Sequence, residues 1–251
     1  MMNSNYHIEN NSSSPTAVLL AGGEGTRIRS LFPDQPKPLI EVNGQPFLYW
    51  VTAYLAARGL SSFVYSAGYK GDQIETWCVN TTMKGLERQV CRERSPLGTG
   101  GGLLNCINLC SDWVLVSNGD SLCLGGVGKL LKLIENSALD GGLIGVHSFD
   151  TASFGSLKIA DDGRLLQFNE KIAGSGFVNA GTYLFRKQVL EQFPQNKLLS
   201  IEYDLIPELI AMGNRLQVIK VEDAPFIDIG TPDTVVLAKE FVQENKNWFV
   251  W

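Results

Sequence analysis

The chain contains 251 residues, 44% of them hydrophobic, and carries a formal net charge of -5 at pH 7. This length and an even composition predict one large domain with a sizeable core. The negative charge, without any run of Lys or Arg, argues against nucleic acid as a partner but is compatible with free nucleotides. No apolar run approaches the about 20 residues that cross a bilayer, so a membrane partner is not expected either.

Residues 1–14 are rich in Asn and Ser and lack the apolar core of a signal peptide. They are predicted to be a disordered N-terminal extension, which leaves residues 15–251 as a single domain. The five cysteines are odd in number and include no CxxC pair, and the chain has too few histidines to favour a zinc site. Buried reduced thiols are the simpler interpretation, and they suit a cytoplasmic protein.

Apolar segments bounded by turn residues recur along the first half of the chain, with helix-like stretches between them. They span Thr16–Leu20, Ser62–Ala67, 113–117 and 142–146. This alternation predicts βαβ units and a mostly parallel sheet. Between the first two strands, a helix is predicted from Pro46 to Gly59, because Pro favours a helix start and Gly a helix end.

The second half has a different pattern. Segments 156–160 and 165–169 flank Asp161-Asp162-Gly163-Arg164, a hairpin signature, and 177–186 is another strand candidate. Segments 202–212 and 231–245 are predicted to be helical. The expected fold is therefore α/β, with a Rossmann-like mixed sheet that is mostly parallel and flanked by helices.

A glycine-rich loop follows the first strand. Gly22, Gly23 and Gly25 allow close approach of the backbone to a ligand. The loop N–H groups, the Arg27 guanidinium and the Lys37 ammonium would supply the donors and positive charge that a triphosphate needs. The spacing fits neither a P-loop nor a dinucleotide-binding fingerprint. The glycines alone fit a strand-to-helix turn equally well.

Residues 20–29, LAGGEGTRIR, and the later Pro36-Lys37-Pro38 resemble the signature of sugar-1-phosphate nucleotidyltransferases. The resemblance extends over about residues 16–240 and implies a glycosyltransferase-A-like nucleotidyltransferase fold. It implies that Arg27 stabilises charge on departing pyrophosphate and that Lys37 engages the reacting phosphates. It also implies that the loop holds the nucleoside triphosphate through Ala21, Gly22, Gly23, Gly25 and Thr26.

Two carboxylates are candidates for a metal site. Asp120 ends the sequence SNGD directly after an apolar strand, at the edge where α/β sheets bind ligands. Asp228 lies among apolar residues in FIDIGTP, where an unpaired charge would be costly. An Mg²⁺ ion held by both would account for their positions, and the resemblance assigns them that role. The alternative for Asp120 is a turn or helix-cap residue.

The segment ERSPLGTGGGL, residues 93–103, matches the part of the family that faces the base and ribose, with Gly98, Thr99 and Gly100 at its centre. Glu93 falls where the family reads the base edge. Because a carboxylate only accepts hydrogen bonds, it should favour guanine or uracil. The alternative is a solvated glutamate beside Arg92 and Arg94.

The resemblance also implies an acceptor site. Lys171 would bind the phosphate of the sugar 1-phosphate. Glu170, Asn179, the Gly181 backbone and Glu202 would contact sugar hydroxyls. Without the resemblance, Glu170 and Lys171 would be an ordinary surface pair.

The expected enzyme transfers a nucleoside monophosphate, with GMP favoured, from a nucleoside triphosphate to a sugar 1-phosphate, with Mg²⁺ as cofactor. Within the family, PLGTGG, RSLFPDQPKP and SIEYDLIPEL are most similar to guanylyltransferases for D-glycero-D-manno-heptose 1-phosphate. Mannose 1-phosphate guanylyltransferases and uridylyltransferases stay open as alternatives. So do a non-catalytic nucleotide-sensing homologue and, less well matched, a GTPase. The oligomeric state, a homo-oligomer included, is left open.

Overall fold

The structure is a computed structural model that describes residues 14–148, 156–169 and 174–251. The strands are β1 (Thr16–Leu20), β2 (Glu41–Val42), β3 (Gln45–Pro46), β4 (Ser62–Ala67), β5 (Glu87–Arg92), β6 (Trp113–Asn118), β7 (Ser121–Cys123), β8 (Gly141–Ser148), β9 (Ser156–Ile159), β10 (Leu165–Asn169), β11 (Gly176–Arg186), β12 (Leu216–Val221) and β13 (Phe226–Asp228).

The helices are α1 (Phe47–Ala56), α2 (Gly71–Asn80), α3 (Gly98–Asn105), α4 (Val127–Leu131), α5 (Lys187–Leu190), α6 (Ile206–Ala211) and α7 (Pro232–Glu244). Short 3-10 turns cover Lys37–Leu39, Ile107–Leu109, Lys132–Glu135 and Lys246–Phe249, and a π-helical turn covers Ile201–Leu205. In the described part of the chain, no helix has both the length and the hydropathy to cross a bilayer.

Nine strands form one sheet in which β5, β4, β1 and β6 are parallel neighbours. Strand β11 pairs antiparallel with β6 and β8, and β12 pairs parallel with β8. It follows that β8 and β12 run in the same direction as β1. The sheet is mixed but mostly parallel, which confirms the expected fold class.

Side chains alternate across β1 and cover both faces of the sheet with apolar residues. Ala17 and Leu19 join one buried cluster together with α1 and α7, whereas Val18 joins a second cluster with α3 and α6. A strand buried on both faces needs a continuous apolar run, and TAVLL supplies one. The first strand thus lies at the centre of the molecule, and the loop after it starts from a rigid base.

Helix α1 begins directly after Pro46, as expected, and it buries Phe47, Leu48, Val51 and Leu55. It ends near Gly59, whose φ of 91° lies in the left-handed region that glycine adopts without strain.

The predicted hairpin is present as β9 and β10. The continuous helix predicted over 202–212 is wrong in its first part. There the chain forms the π-helical turn Ile201–Leu205 before α6 begins. The Ser200 hydroxyl accepts the backbone N–H groups of Glu202 and Tyr203, which fixes this wider turn locally.

Residues 1–13, Glu170 and Lys171 lie outside the described residues. The predicted N-terminal extension and the two predicted acceptor contacts therefore stay predictions.

Candidate active site

The glycine-rich loop and the SNGD segment leave neighbouring parallel strands at the same edge of the sheet. Leu20 at the end of β1 is paired with Asn118 at the end of β6, and the Gly119 N–H donates to the Leu20 carbonyl at 2.9 Å. A cleft with a volume of about 350 Å³ opens beside this junction. Seven of the predicted site residues line it: Gly23, Gly25, Thr26, Arg27, Lys37, Asp120 and Asp228.

The glycines of the loop serve different purposes. A Cβ on Gly22 would lie 2.7 Å from Oε1 of Glu93 and 3.1 Å from the Gly68 backbone nitrogen, so a side chain there would force its neighbours to shift. A Cβ on Gly23 would meet nothing within 4 Å, so this residue faces open space. Gly25 has a φ of 58°, and a Cβ there would lie 3.2 Å from the Lys37 Cβ. Gly23 and Gly25 line the cleft, and only Gly23 has free space beside its Cα. Gly22 packs against Glu93 instead.

Lys37 brings the two candidate metal ligands together. Its Nζ lies 2.7 Å from Oδ2 of Asp120 and 3.6 Å from Oδ2 of Asp228. The Lys37 side chain is 12% exposed, whereas the carboxylates are 32% and 43% exposed. The Lys37 side chain is therefore more buried than the two carboxylates, which stay partly exposed in the cleft.

The short antiparallel pair β7–β13 brings Asp228 to this position. Asp228 pairs with Ser121, and the Ile229 N–H donates to the Asp120 carbonyl at 3.0 Å. The Gly230 N–H in turn donates to Oδ1 of Asp228 at 2.6 Å. Backbone pairing thus fixes both carboxylates relative to each other.

Burial raises the pKa of Asp228, and the neighbouring charge of Asp120 raises it further. Lys37 and the Gly230 N–H oppose this rise only in part. A carboxylate that is costly to ionise in the protein alone is one that gains from an added cation.

Arg27 is exposed at the rim of the same cleft. Among the described residues, no ion pair or hydrogen bond engages its guanidinium. The neighbouring Arg29, by contrast, pairs with Glu24 at 3.8 Å and lies over the Tyr69 ring. The Arg27 guanidinium is therefore available to a ligand in the cleft.

Glu93 is tied to the protein on both oxygens. The Ser66 hydroxyl donates to Oε1 at 3.3 Å, and the Leu97 N–H donates to Oε2 at 3.0 Å. Burial raises the pKa of Glu93, and these two hydrogen bonds oppose the rise. The side chain thus faces the glycine loop rather than solvent near Arg92 and Arg94, which weakens the solvated alternative.

The glycines of the PLGTGG segment pack against the backbone of a neighbouring loop. A Cβ on Gly98 would lie 2.5 Å from the Leu199 carbonyl oxygen, and one on Gly100 would lie 3.0 Å from Ser200. The Gly100 N–H also donates to the Leu199 carbonyl at 2.8 Å. The predicted contact of Gly98, Thr99 and Gly100 with a nucleotide stays a prediction. Packing against residues 197–200 is itself a sufficient reason for glycine here.

Three of the predicted acceptor residues gather around β11. The Tyr183 hydroxyl bridges Asn179 and Glu202, and the Thr99 hydroxyl bonds to Glu202 at 3.2 Å. Gly181 has a φ of 70°, and a Cβ there would collide with the Asn118 amide. The predicted nucleotide side and acceptor side are therefore in direct contact.

Sequence reasoning missed Asn118 and Tyr183. Asn118 lines the cleft and abuts Gly181. It could have been noted as a polar side chain at the carboxyl end of a parallel strand. Tyr183 is buried within an apolar strand, so its sequence position gives no sign of a polar role.

The donor set around Lys37 suits a hard cation. Within residues 14–148, 156–169 and 174–251, no cluster of three or more His, Cys, Asp or Glu side chains is arranged to hold a metal. Two carboxylates are enough for an ion that completes its shell with water and phosphate oxygens, as Mg²⁺ does. Asp120 and Asp228 therefore fit the predicted ion.

The fold and cleft define an α/β protein with a charged pocket at the carboxyl ends of its parallel strands. Residues 16–245 match the family model described as nucleotidyl transferase. The chain belongs to this nucleotidyl transferase family.

Relatives of the chain include a mannose-1-phosphate guanylyltransferase and a heptose 1-phosphate guanylyltransferase. The chain is 33% identical to a mannose-1-phosphate guanylyltransferase of Mycobacterium tuberculosis, over 88% of this chain and 62% of that protein. It is 31% identical to a D-glycero-alpha-D-manno-heptose 1-phosphate guanylyltransferase of Aneurinibacillus thermoaerophilus, over 90% of this chain and 98% of that protein. The chain therefore spans less than two thirds of the mycobacterial protein and nearly all of the heptose relative.

Among solved structures, HddC from Yersinia pseudotuberculosis in complex with GMP-PN superposes with a TM-score of 0.76. It is 31% identical in sequence, and the match covers 90% of this chain and 98% of HddC. The similarity is thus one of nearly whole chains in both sequence and fold.

Proposed function

We propose that this protein transfers a nucleoside monophosphate, GMP in preference, from a nucleoside triphosphate to the phosphate of a sugar 1-phosphate. The products are a nucleoside diphosphate sugar and pyrophosphate. The observation that carries the proposal is the position of Lys37 between Asp120 and Asp228, in a cleft that also contains Arg27 and the open Gly23.

The reaction joins two anions, so its barrier is largely a matter of alignment and charge. A phosphate oxygen of the acceptor attacks the α-phosphorus of the triphosphate, and the bond from that phosphorus to the bridging oxygen of pyrophosphate breaks. The acceptor phosphate is already ionised near neutral pH, so no general base is needed. The residues have only to hold both reactants and offset their repulsion.

Arg27 and Lys37, which both line the cleft, would supply that charge. Arg27 is exposed and would bind the departing pyrophosphate through its planar fork of N–H groups. Lys37 is largely buried and would reach the reacting phosphates from below. By resemblance, Lys171 would hold the acceptor phosphate.

Asp120 and Asp228 would hold Mg²⁺, which when bound neutralises charge on the phosphates and favours their in-line arrangement. The raised pKa of Asp228 supports this role, because a divalent cation would stabilise the ionised carboxylate.

The preference for guanine rests on Glu93. An ionised carboxylate has about four acceptor positions, and the Ser66 and Leu97 donors use two of them. The remaining positions could accept the ring N–H and amino group of guanine. Adenine and cytosine present a ring nitrogen acceptor at the equivalent edge and would be repelled.

The choice of a heptose over mannose as the sugar rests on chain coverage. The relative named for heptose 1-phosphate aligns with this chain over 98% of its length, and the one named for mannose 1-phosphate over 62%. We propose a heptose 1-phosphate as the acceptor and a cytoplasmic location, where nucleoside triphosphates are held and unpaired thiols persist.

The test is incubation with Mg²⁺, each of the four nucleoside triphosphates, and heptose, mannose and glucosamine 1-phosphates. Pyrophosphate is detected enzymatically and the nucleotide sugar by mass spectrometry. We expect pyrophosphate only when both substrates are present, most rapidly with GTP and a heptose 1-phosphate. An Asp120→Asn variant controls for contaminating activity.

Other outcomes would overturn specific parts of the proposal. Inorganic phosphate released from GTP without any sugar phosphate would indicate a hydrolase. Nucleotide binding without turnover of any pair would indicate a non-catalytic homologue. Turnover with UTP alone would refute the guanine preference and keep the reaction class.

A further inference from the structure

The Tyr183 phenol is buried between two residues predicted to contact the acceptor sugar. Tyr183 is 0% exposed, yet its hydroxyl makes two short hydrogen bonds. Its oxygen lies 2.6 Å from Nδ2 of Asn179 and 2.7 Å from Oε1 of Glu202. A buried hydroxyl satisfied by these two side chains links them directly.

The direction of each hydrogen bond follows from the chemistry of Glu202. An ionised carboxylate can only accept, so the single phenolic proton of Tyr183 points to Glu202. The phenol must then accept from the Asn179 amide nitrogen. Oδ1 of Asn179 is left to accept the Gly181 N–H at 3.0 Å. The orientation of the Asn179 amide is thus set at its nitrogen by Tyr183, which Glu202 orients, and at its oxygen by the Gly181 N–H.

The other oxygen of Glu202 is held from the predicted nucleotide side. The Thr99 hydroxyl donates to Oε2 at 3.2 Å, and the Ser200 hydroxyl donates to it at 2.8 Å. Thr99 in turn accepts the Ile201 N–H at 2.9 Å. One continuous set of hydrogen bonds therefore runs from α3 to β11.

The ladder between β11 and β8 is interrupted directly after Asn179. Asn179 pairs with Gly145 and Tyr183 pairs with Leu143, so β11 has extra residues in between. This bulge contains Gly181 in the left-handed region, and a bulge of this kind redirects side chains near functional sites. Because the ladder is interrupted between Asn179 and Tyr183, the hydrogen bond between their side chains joins the two ends of the bulge.

We infer that Tyr183 is a positioning residue for the acceptor sugar, which acts by holding Asn179 and Glu202 in the orientation that binds sugar hydroxyls. This inference rests on the proposed function. Tyr183 is too deeply buried to touch the substrate itself. Without its hydroxyl, the Asn179 amide loses its acceptor and Glu202 loses a donor, so the sugar site loosens while the triphosphate site is retained.

The test is Tyr183→Phe, which keeps the ring and removes only the hydroxyl. We expect the KM for the sugar 1-phosphate to rise about 10-fold or more, in line with the loss of a hydrogen bond to a charged group. The KM for the nucleoside triphosphate should stay within about twofold, because Glu202 keeps the Thr99 and Ser200 donors on its other oxygen. A merely structural role would move both constants, or neither.

Tyr65→Phe is the matched control. Tyr65 is equally buried, and its hydroxyl bonds to Thr52 in the opposite cluster. This variant should leave both KM values unchanged. A folded Tyr183→Phe with a wild-type KM for the sugar 1-phosphate would overturn the inference, as would a parallel rise in the KM for the triphosphate.

A measurement on the wild-type protein covers the case in which Tyr183→Phe does not fold. With asparagine labelled by ¹⁵N, hydrogen exchange of the Asn179 side-chain amide can be followed by NMR, and the signal is assigned by its loss in Asn179→Asp. We expect slow exchange of one amide proton, and rapid exchange of both would refute the role. If the wild type turned over no substrate pair, the proposed function would fail while this measurement still tested the Tyr183 bonds.

Discussion

The ammonium of Lys37 lies 2.7 Å from Oδ2 of Asp120, although 83 residues separate them in sequence. A second carboxylate, Asp228, lies 3.6 Å away on the same ammonium. Lys37 therefore offsets part of the negative charge of the two carboxylates in the protein alone, and it also lines the cleft that would hold the phosphates of a substrate. Both roles depend on its charge.

Lys37→Met should separate these two roles. Turnover should fall about 100- to 1000-fold, the effect of losing one charge contact to a transition state. Binding of Mn²⁺ without nucleotide should become tighter, because the carboxylates no longer share a cation. Steady-state pyrophosphate release and Mn²⁺ titration by electron paramagnetic resonance measure the two effects.

Lys70→Met is the control for this variant. Lys70 binds the Pro33 carbonyl and Asp34, and none of these three residues lines the cleft, so turnover should stay within about twofold of wild type. Wild-type turnover in a folded Lys37→Met protein would contradict the assigned role of Lys37.

Arg27→Ala should reduce activity without reducing stability. The guanidinium is exposed and makes no ion pair with the described residues. Its removal therefore deletes no ion pair or hydrogen bond that stabilises the folded state in the described part of the chain. We expect kcat/KM to fall about 100-fold or more and the melting temperature to stay within about 1 °C. Arg164→Ala, which removes a surface arginine paired with Asp162, should change neither quantity. A stable Arg27→Ala enzyme with normal pyrophosphate release would remove Arg27 from the mechanism.

The sequence predicted the individual segments of this site better than it predicted the contacts between them. Thr16–Leu20 has its predicted bounds because a run of apolar residues buried on both faces has a strong local signature. The approach of Asp228 to Asp120 depends on the pairing of β13 with β7, two strands of three residues each. Pairing between such short and distant strands leaves no periodic pattern to detect.

A side chain that has an apolar body in the core and a polar end at the site was also hard to predict. Tyr183 looks like a core residue in sequence, and its ring does pack in the core, stacked on Phe185. Only its hydroxyl, at the end of that ring, reaches Glu202 and Asn179. A residue-level pattern cannot separate the burial of a ring from the hydrogen bonding of its terminal oxygen.

Asp228→Asn should stabilise the protein at neutral pH while inactivating it. Burial and Asp120 raise the pKa of Asp228 in the folded state. A raised carboxyl pKa means that the native state binds more protons than the unfolded chain. Stability therefore falls as pH rises from the unfolded value, about 3.9, through the folded value.

At pH 7 the ionised Asp228 thus costs stability, and an amide removes that cost. In EDTA, the melting temperature of Asp228→Asn should exceed that of wild type at pH 7, and the difference should shrink toward pH 4. Thermal melts followed by circular dichroism across this range measure both quantities. A lower melting temperature at pH 7 would show that the pair with Lys37 outweighs the cost of ionising Asp228.

Glu93→Gln should weaken discrimination between bases more than it weakens catalysis. The carboxylate already accepts from Ser66 and Leu97, and its remaining positions would accept from guanine. An amide has a single acceptor oxygen and adds donors. It should therefore bind guanine less well and tolerate the ring nitrogen acceptors of adenine and cytosine.

We expect kcat/KM for GTP to fall about 10- to 100-fold, the value of hydrogen bonds to a charged group. The values for ATP and CTP should fall less or rise. Comparison of kcat/KM for the four triphosphates with one sugar 1-phosphate measures the ratio. Glu87→Gln, an exposed change at the start of β5, should leave the ratio unchanged. An unaltered ratio in Glu93→Gln would mean that Glu93 only supports the loop through Leu97, because the base would then be recognised by other groups.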